Sequence, residues 1–241
     1  MKIIISPSKT QSFDHQQKGQ EIVLKPETKK LFSIIKGLSK ENLGKMLKIK
    51  GQLLDETYVD YQKDFFDKPF GNAVDIYTGV VFDQLELGKY NPSQKHYIND
   101  NLRILSAMYG VLRPDDNVYP YRLDMTIRVP EINLYNYWQK IVENHFKDEN
   151  LIINLASKEF SKMLKNYSGR IIDIEFYEET KVKDLKIVSY NAKKCRGQML
   201  NFMIKNKVDD ISLIKDFCFD GYKYSENLSN KDKLIFVRQI D

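Results

Sequence analysis

Cysteine is scarce: Cys195 and Cys218 are the only two in 241 residues, far apart and outside any CxxC pair. That excludes a disulfide framework and a cysteine-rich zinc site, and it points to a reducing compartment, with the cytoplasm as the expected location. Histidine is nearly as rare, and His15, His96 and His145 fall in three separate segments. Hard and borderline metals need a preassembled ligand set, so no metal site is expected, and no motif asks for a cofactor. Long apolar runs are missing too. The start, Met1-Lys2-Ile3-Ile4-Ile5-Ser6-Pro7, is much too short for a signal peptide or a span, and no later stretch approaches eighteen apolar residues. No membrane association is expected. Linkers, internal repeats and low-complexity tracts are also missing, which leaves one domain over 1–241 as the expectation.

What is present is charge and tyrosine. Charged residues make up 29% of the chain and Tyr occurs 15 times, against a single tryptophan. The formal net charge of +5 is concentrated, since residues 25–50 hold eight lysines and two glutamates. A cluster of that kind docks nucleic acid or anionic lipid, or is simply a solvated helix face.

Continuous apolar runs at 2–5, 103–108 and 151–156 read as buried strands. Amphipathic helices are expected over 27–36, 39–47 and 52–66, the last turning Leu53, Leu54, Tyr58, Val59 and Phe65 inward. Residues 73–81 read as a short strand entering a helix that runs to Leu87. An amphipathic helix over 134–146 carries Trp138 into the core, and a further short helix is expected over 209–216. Alternation at 170–177 and 185–190 predicts paired strands, followed by a helix from Asn191. Residues 221–224 and 233–239 look like a closing hairpin. The fold expected is α+β or irregular α/β, one mixed sheet with a helical N-terminal insertion at 27–66.

Each apolar run delivers polar residues. After the first come Ser6, Lys9 and Thr10, a hydroxyl-rich loop that either holds an anion through amides, hydroxyls and a lysine or is merely shaped into a turn by Pro7. After the second come Arg113, Tyr121 and Arg122 beside Asp115 and Asp124. Guanidinium forks suit phosphate and carboxylate, but a structural salt-bridge knot has the same sequence. After the third come Asn154, Ser157 and Glu159, with Ser157 a natural helix cap. Lys193, Lys194 and Arg196 open a late helix, where cations oppose the macrodipole, and this points to an anionic partner. Because strand ends in α/β sheets converge on one crevice, a single basic site built from these four segments is expected. Lys48, Lys50 and Gly51, in the turn between two helices of the insertion, form a second place able to grip a phosphate backbone. Were a reaction catalysed, Asp115, Asp124 or Glu159 would be its acid or base, with Asn154 and Ser157 positioning a nucleotide, a nucleobase or damaged DNA.

Seven short strings occur in order along the chain: SPSKT at 6–10, YTG at 77–79, LSAMYGVLRPD at 105–115, PYRLDM at 120–125, INLAS at 153–157, AKKCRG at 192–197 and GY at 221–222. Together they resemble the YaaA peroxide-stress proteins, over essentially the whole length. The resemblance implies a cytoplasmic bacterial protein that lowers peroxide damage, in part by limiting free iron. It also implies DNA binding with little sequence preference, through a basic cleft and a helix-hairpin-helix element that would fall at 48–51. A small anionic or nucleotide ligand is the other partner it admits. Cys195 stands where such proteins commonly have Ala, and Ser8 does too, so neither a thiol peroxidase at 195 nor a Ser8 nucleophile is expected.

Overall fold

Three isoleucines in succession, Ile3, Ile4 and Ile5, are fully buried, a pattern that suits a strand covered on both faces. They lie in β1 (Lys2–Ile5), at the centre of a computed structural model that describes residues 1–13, 19–64, 68–182 and 184–240. A short β2 (Thr10–Gln11) precedes the helical insertion, α1 (Lys25–Lys36), α2 (Lys40–Leu47) and α3 (Gln52–Gln62). Next come β3 (Gly71–Asn72), α4 (Ala73–Ile76), β4 (Tyr77–Thr78), α5 (Pro92–Asn101), β5 (Leu102–Ser106), β6 (Gly110–Leu112) and β7 (Asn117–Val118). The chain continues through α6 (Leu134–His145), β8 (Leu151–Asn154), α7 (Lys158–Ser161), β9 (Arg170–Glu179), β10 (Leu185–Lys186) and α8 (Ser189–Asn206). It closes with α9 (Ile211–Ile214), β11 (Cys218–Phe219), β12 (Tyr222–Tyr224) and β13 (Lys233–Gln239).

Nine strands form the main sheet, in the order β11-β12-β13-β9-β8-β1-β5-β6, with β10 paired to β9. The five inner strands, β13, β9, β8, β1 and β5, are parallel, and antiparallel pairs finish both edges. This is an α/β fold with a mixed sheet. From β1 the chain crosses to β5 on one side; from β8 it proceeds through β9 to β13 on the other. The direction therefore reverses between β1 and β8, and the crevice beyond their carboxyl ends is where open α/β sheets bind ligands.

Local chemistry explains the helices that support this frame. Asn91 and Gln94 form a reciprocal capping box at the start of α5. Trp138 of α6 is fully buried and donates its indole N–H to the Ala107 carbonyl at 2.7 Å, which satisfies the one polar group that its burial would otherwise strand.

Several elements differ from expectation. The helix expected over 52–66 stops at Gln62, and it buries Thr57 and Tyr61 while Leu53 and Val59 are exposed; Phe65 and His15 lie outside the described residues. The segment at 73–89 breaks into α4, β4 and two 3-10 turns at Phe82–Gln84 and Leu87–Lys89, because packing against neighbouring segments overrides a continuous helix. β10 covers two residues only, and α8 begins already at Ser189. Among the described residues no helix is long and apolar enough to cross a membrane.

Candidate functional site

A cleft of about 440 Å³ opens at the β1/β8 reversal. Ser6 leaves β1 and Ser157 leaves the β8 end, and the two are stitched together: the Ser157 amide donates to Ser6 Oγ at 2.8 Å, and that hydroxyl donates to Ser157 Oγ at 3.2 Å. Ser157 thus occupies the cap position of α7 without capping it. Its hydroxyl and that of Ser6 line the floor instead.

A second wall comes from the Tyr-rich segment after β7. Tyr121 lies between the Tyr77 hydroxyl at 2.8 Å and Ser106 Oγ at 3.0 Å, and its ring meets Tyr109 edge-on at 5.2 Å. Burial pushes the Tyr121 phenol up to about 12, so it is a neutral hydrogen-bonding group. Arg122 and Asp124 follow on the same wall. Tyr61 of α3 fixes the Arg122 backbone, donating to its carbonyl at 3.1 Å. Lys9 reaches across the cleft to Asp124 at 2.8 Å. Glu159 accepts from the Met125 amide at 3.1 Å. Burial, followed by the charge of Asp124, raises its carboxyl above the usual range.

Helix α8, whose cations the sequence placed in the site, and the turn at 79–82, which it did not, close the remaining side. Gly79 has φ +120°, and a Cβ there would lie 2.8 Å from Ser8 Oγ, so only glycine lets this turn approach the first loop. Gly197 does the same for α8, where a Cβ would stand 2.3 Å from the Val81 carbonyl oxygen. The signal was available in the YTG and CRG strings, whose glycines marked close backbone approaches. This packing brings Lys193 and Arg196 to the cleft.

The cleft is lined by four cations, Lys9, Arg122, Lys193 and Arg196, and two carboxylates, Asp124 and Glu159. Lys9 and Asp124 neutralise one another. Among the described residues, the guanidiniums of Arg122 and Arg196 form neither a salt bridge nor a hydrogen bond, and Arg196 Nε is buried without a partner. Burial lowers the Arg196 pKa, against the more distant attraction of Glu175 and Asp173. Such a site can hold an anion through two guanidiniums and the surrounding hydroxyls.

Other expected members lie elsewhere. Arg113 is bound to the fully buried Asp116, its Nε donating at 2.8 Å, and also donates to the Glu21 carbonyl at 2.8 Å. It belongs to a structural knot, centred on Asp116 rather than on Asp115 or Asp124. Asp115 accepts from Gln20 at 2.6 Å and does not line the cleft. Lys194 sits over the Phe219 ring, 5.2 Å from its centroid, since adjacent helical residues point about 100° apart. Asn154 is buried beneath the floor, donating to Asp173 at 2.7 Å and accepting from the Ala156 amide at 2.9 Å. Thr10 donates to the Thr78 carbonyl at 2.8 Å, securing β2 to β4. Lys48, Lys50 and Gly51 form an exposed turn between α2 and α3, with Lys48 and Gly51 at positive φ, and none of the three lines the cleft.

Cys195 is buried, and burial pushes its thiol up to about 12, far from a reactive thiolate. His96 pairs with Asp100 at 3.0 Å on an exposed helix face. Burial, helped by Arg103 and Lys2, pushes His145 down to about 4. Among the described residues no group of three or more His, Cys, Asp or Glu is arranged to hold a metal.

Residues 1–228 match the family model described as Peroxide stress protein YaaA. A UPF0246 protein of Finegoldia magna is 38% identical over 246 residues, spanning 100% of this chain and 99% of that one. A UPF0246 protein of Fusobacterium nucleatum is 37% identical over 250 residues, spanning 99% of both chains. One from Crocosphaera subtropica is 34% identical over 252 residues, spanning 99% of this chain and all of that one. The matched range takes in every element that lines the cleft, and with relatives similar over nearly their whole length the chain belongs to the YaaA peroxide-stress protein family.

Proposed function

We propose that this protein serves the response to hydrogen peroxide by binding DNA, its basic cleft holding backbone phosphates, and that it thereby limits iron-driven damage. The observation that carries this reading is the pair of guanidiniums, Arg122 and Arg196, that line the cleft without a partner among the described residues. A guanidinium without a counter-ion, one of whose nitrogens is buried without a partner, is costly to hold in place, and a phosphate supplies both the charge and the bidentate acceptors that offset the cost. The Lys48 to Gly51 turn, exposed and rich in lysine, adds a second grip on the backbone as a helix-hairpin-helix element. Contacts of this kind go to phosphate, so binding has little sequence preference and weakens steeply with salt. Duplex titrations between about 50 and 200 mM salt test it: the wild type should lose affinity steeply, and Arg122→Ala and Arg196→Ala should bind weakly throughout. Affinity that stays level over that range would sink the reading.

A second reading makes the same cleft an active site for a nucleotide, a nucleobase or damaged DNA. Its support is Glu159, whose raised pKa beside Asp124 favours a protonated carboxyl able to act as general acid. Product formation from damaged oligonucleotides, abolished in Glu159→Gln while DNA binding persists, is the outcome this reading requires.

A further inference from the structure

A lysine that does not line the cleft ties the helical insertion to the Tyr-rich wall. Lys68 is 3% exposed, and lysine is rarely buried so deeply. Its ammonium lies over the Phe32 ring of α1, 4.6 Å from the centroid, and over the Tyr61 ring of α3 at 5.3 Å. The two rings stack on one another at 5.6 Å. The same Nζ donates to the Pro120 carbonyl at 3.5 Å. One charged atom thus meets α1, α3 and the segment that leads into Tyr121 and Arg122.

Tyr61 carries this contact onward. Its ring takes the ammonium, and its hydroxyl donates to the Arg122 carbonyl at 3.1 Å and accepts from the Arg122 amide at 3.4 Å. Both backbone groups of Arg122 are therefore bound to one phenol, which is itself buried. Where the Tyr61 ring sits decides how the Arg122 peptide is turned. A hydrocarbon side chain would fill the place of Lys68 without the cost of desolvating a charge, so stability does not account for an ammonium here, whereas orientation does.

We propose that Lys68 is a positioning residue for Arg122: its charged amine fixes the Tyr61 ring against Pro120, and Tyr61 in turn sets the arginine at the cleft wall. The inference rests on the DNA-binding reading and adds to it a residue that touches no DNA. It also makes that binding sensitive to alkali. Burial lowers the Lys68 pKa to about 8, against the attraction of Asp60 and with the repulsion of Lys63 and Lys36. Asp60 is shared with Lys63 at 3.3 Å, and Lys36 is paired with Asp64 at 2.8 Å. The wall contributes Tyr119 and Tyr121, phenols that burial keeps neutral. The native state holds the Lys68 proton less tightly than the unfolded chain does, so this lysine's contribution to stability improves as pH rises from the folded value toward the unfolded one. Loss of that proton also removes the cation–π hold on Tyr61. Stability and DNA affinity should therefore move in opposite directions.

The test measures duplex affinity and urea midpoint at fixed salt from about pH 6.5 to about pH 9. Wild-type affinity should fall about fivefold across the Lys68 pKa, the scale of one buried cation–π contact, while its urea midpoint holds or rises. Lys68→Met keeps a chain of similar length without the charge. It should bind about fivefold more weakly than wild type at neutral pH, show no step with pH, and keep or raise the urea midpoint. Tyr61→Phe retains the ring under the ammonium but lacks the hydroxyl, and it should lose the step too. A wild-type affinity that stays level, a step that survives in either variant, or a midpoint that falls together with affinity overturns the inference and leaves DNA binding standing. A wild type that binds no duplex at neutral pH overturns both.

Discussion

Arg113 and Arg196 both come from Arg-bearing strings in the sequence, and the fold gives them opposite roles. Arg113 is closed off: its side chain and amide both bond to Asp116, whose side chain is entirely buried. Burial raises the Asp116 pKa, and the hydrogen bonds from Arg113 oppose that rise. Arg196 has its Nε buried without a hydrogen-bond partner, and among the described residues no carboxylate forms a salt bridge with it. Guanidinium burial alone therefore does not mark a binding site. What separates a structural arginine from a ligand-ready one is whether the protein supplies the counter-ion.

That contrast is open to direct attack, beginning with the largest expected effect. Arg113→Ala strands a buried carboxylate, so it should cost about 3 kcal/mol of stability, read as a lower urea midpoint with an unchanged slope. Arg196→Ala should do the reverse. Its urea midpoint should hold or rise, because a buried Nε donor without a partner is removed, while duplex affinity falls about tenfold and the salt slope drops by about one. If Arg196→Ala were the destabilising variant and Arg113→Ala the one that lost DNA, the assignment of the two roles would be reversed. Ser6→Ala is intermediate, leaving the Ser157 amide without its acceptor at a cost of about 1–2 kcal/mol, seen as a fall of a few degrees in Tm.

The smallest effect sharpens the same contrast for carboxylates. Burial raises Glu178, but hydrogen bonds from Asn191, Tyr222 and Arg238 outweigh it, and its carboxyl sits below the usual range. Glu159 sits above that range. Glu178 therefore contributes stability that is present above the unfolded pKa and is lost as pH falls through its folded one. Glu159 contributes the opposite: the native state holds its proton more tightly, and this advantage disappears as pH rises through the raised value. Urea midpoints measured from pH 4 to pH 7 should fall for Glu178→Gln at the upper end and rise there for Glu159→Gln.

Much of the frame was legible without coordinates. The uninterrupted apolar runs at 2–5, 103–108 and 151–156 could only be satisfied by burial on both faces, and they became the three adjacent strands β8, β1 and β5. Their polar followers converge as the strand-end rule anticipates, and Ser6, Lys9, Tyr121, Arg122, Asp124, Ser157, Glu159, Lys193 and Arg196 all line the cleft. Illegible were the choices between neighbours. Lys193 faces the cleft and Lys194 an aromatic ring, because a one-residue step on a helix turns the side chain by about 100°. Ser157 looked like a cap yet is bound to Ser6, 151 positions away, which no local pattern encodes.

The sequence by itself determined the family, the parallel central strands and the residue types gathered at their ends, since hydrophobic runs and short polar strings are local properties of the chain. Only the tertiary structure decided which cations remain without a partner. That depends on which groups the fold brings within reach, as when Asp116 completes Arg113 while no carboxylate among the described residues completes Arg196. Charge pairing falls off with spatial separation, not with position along the chain, so the open half of this basic cleft became visible only once the sheet had brought its walls together.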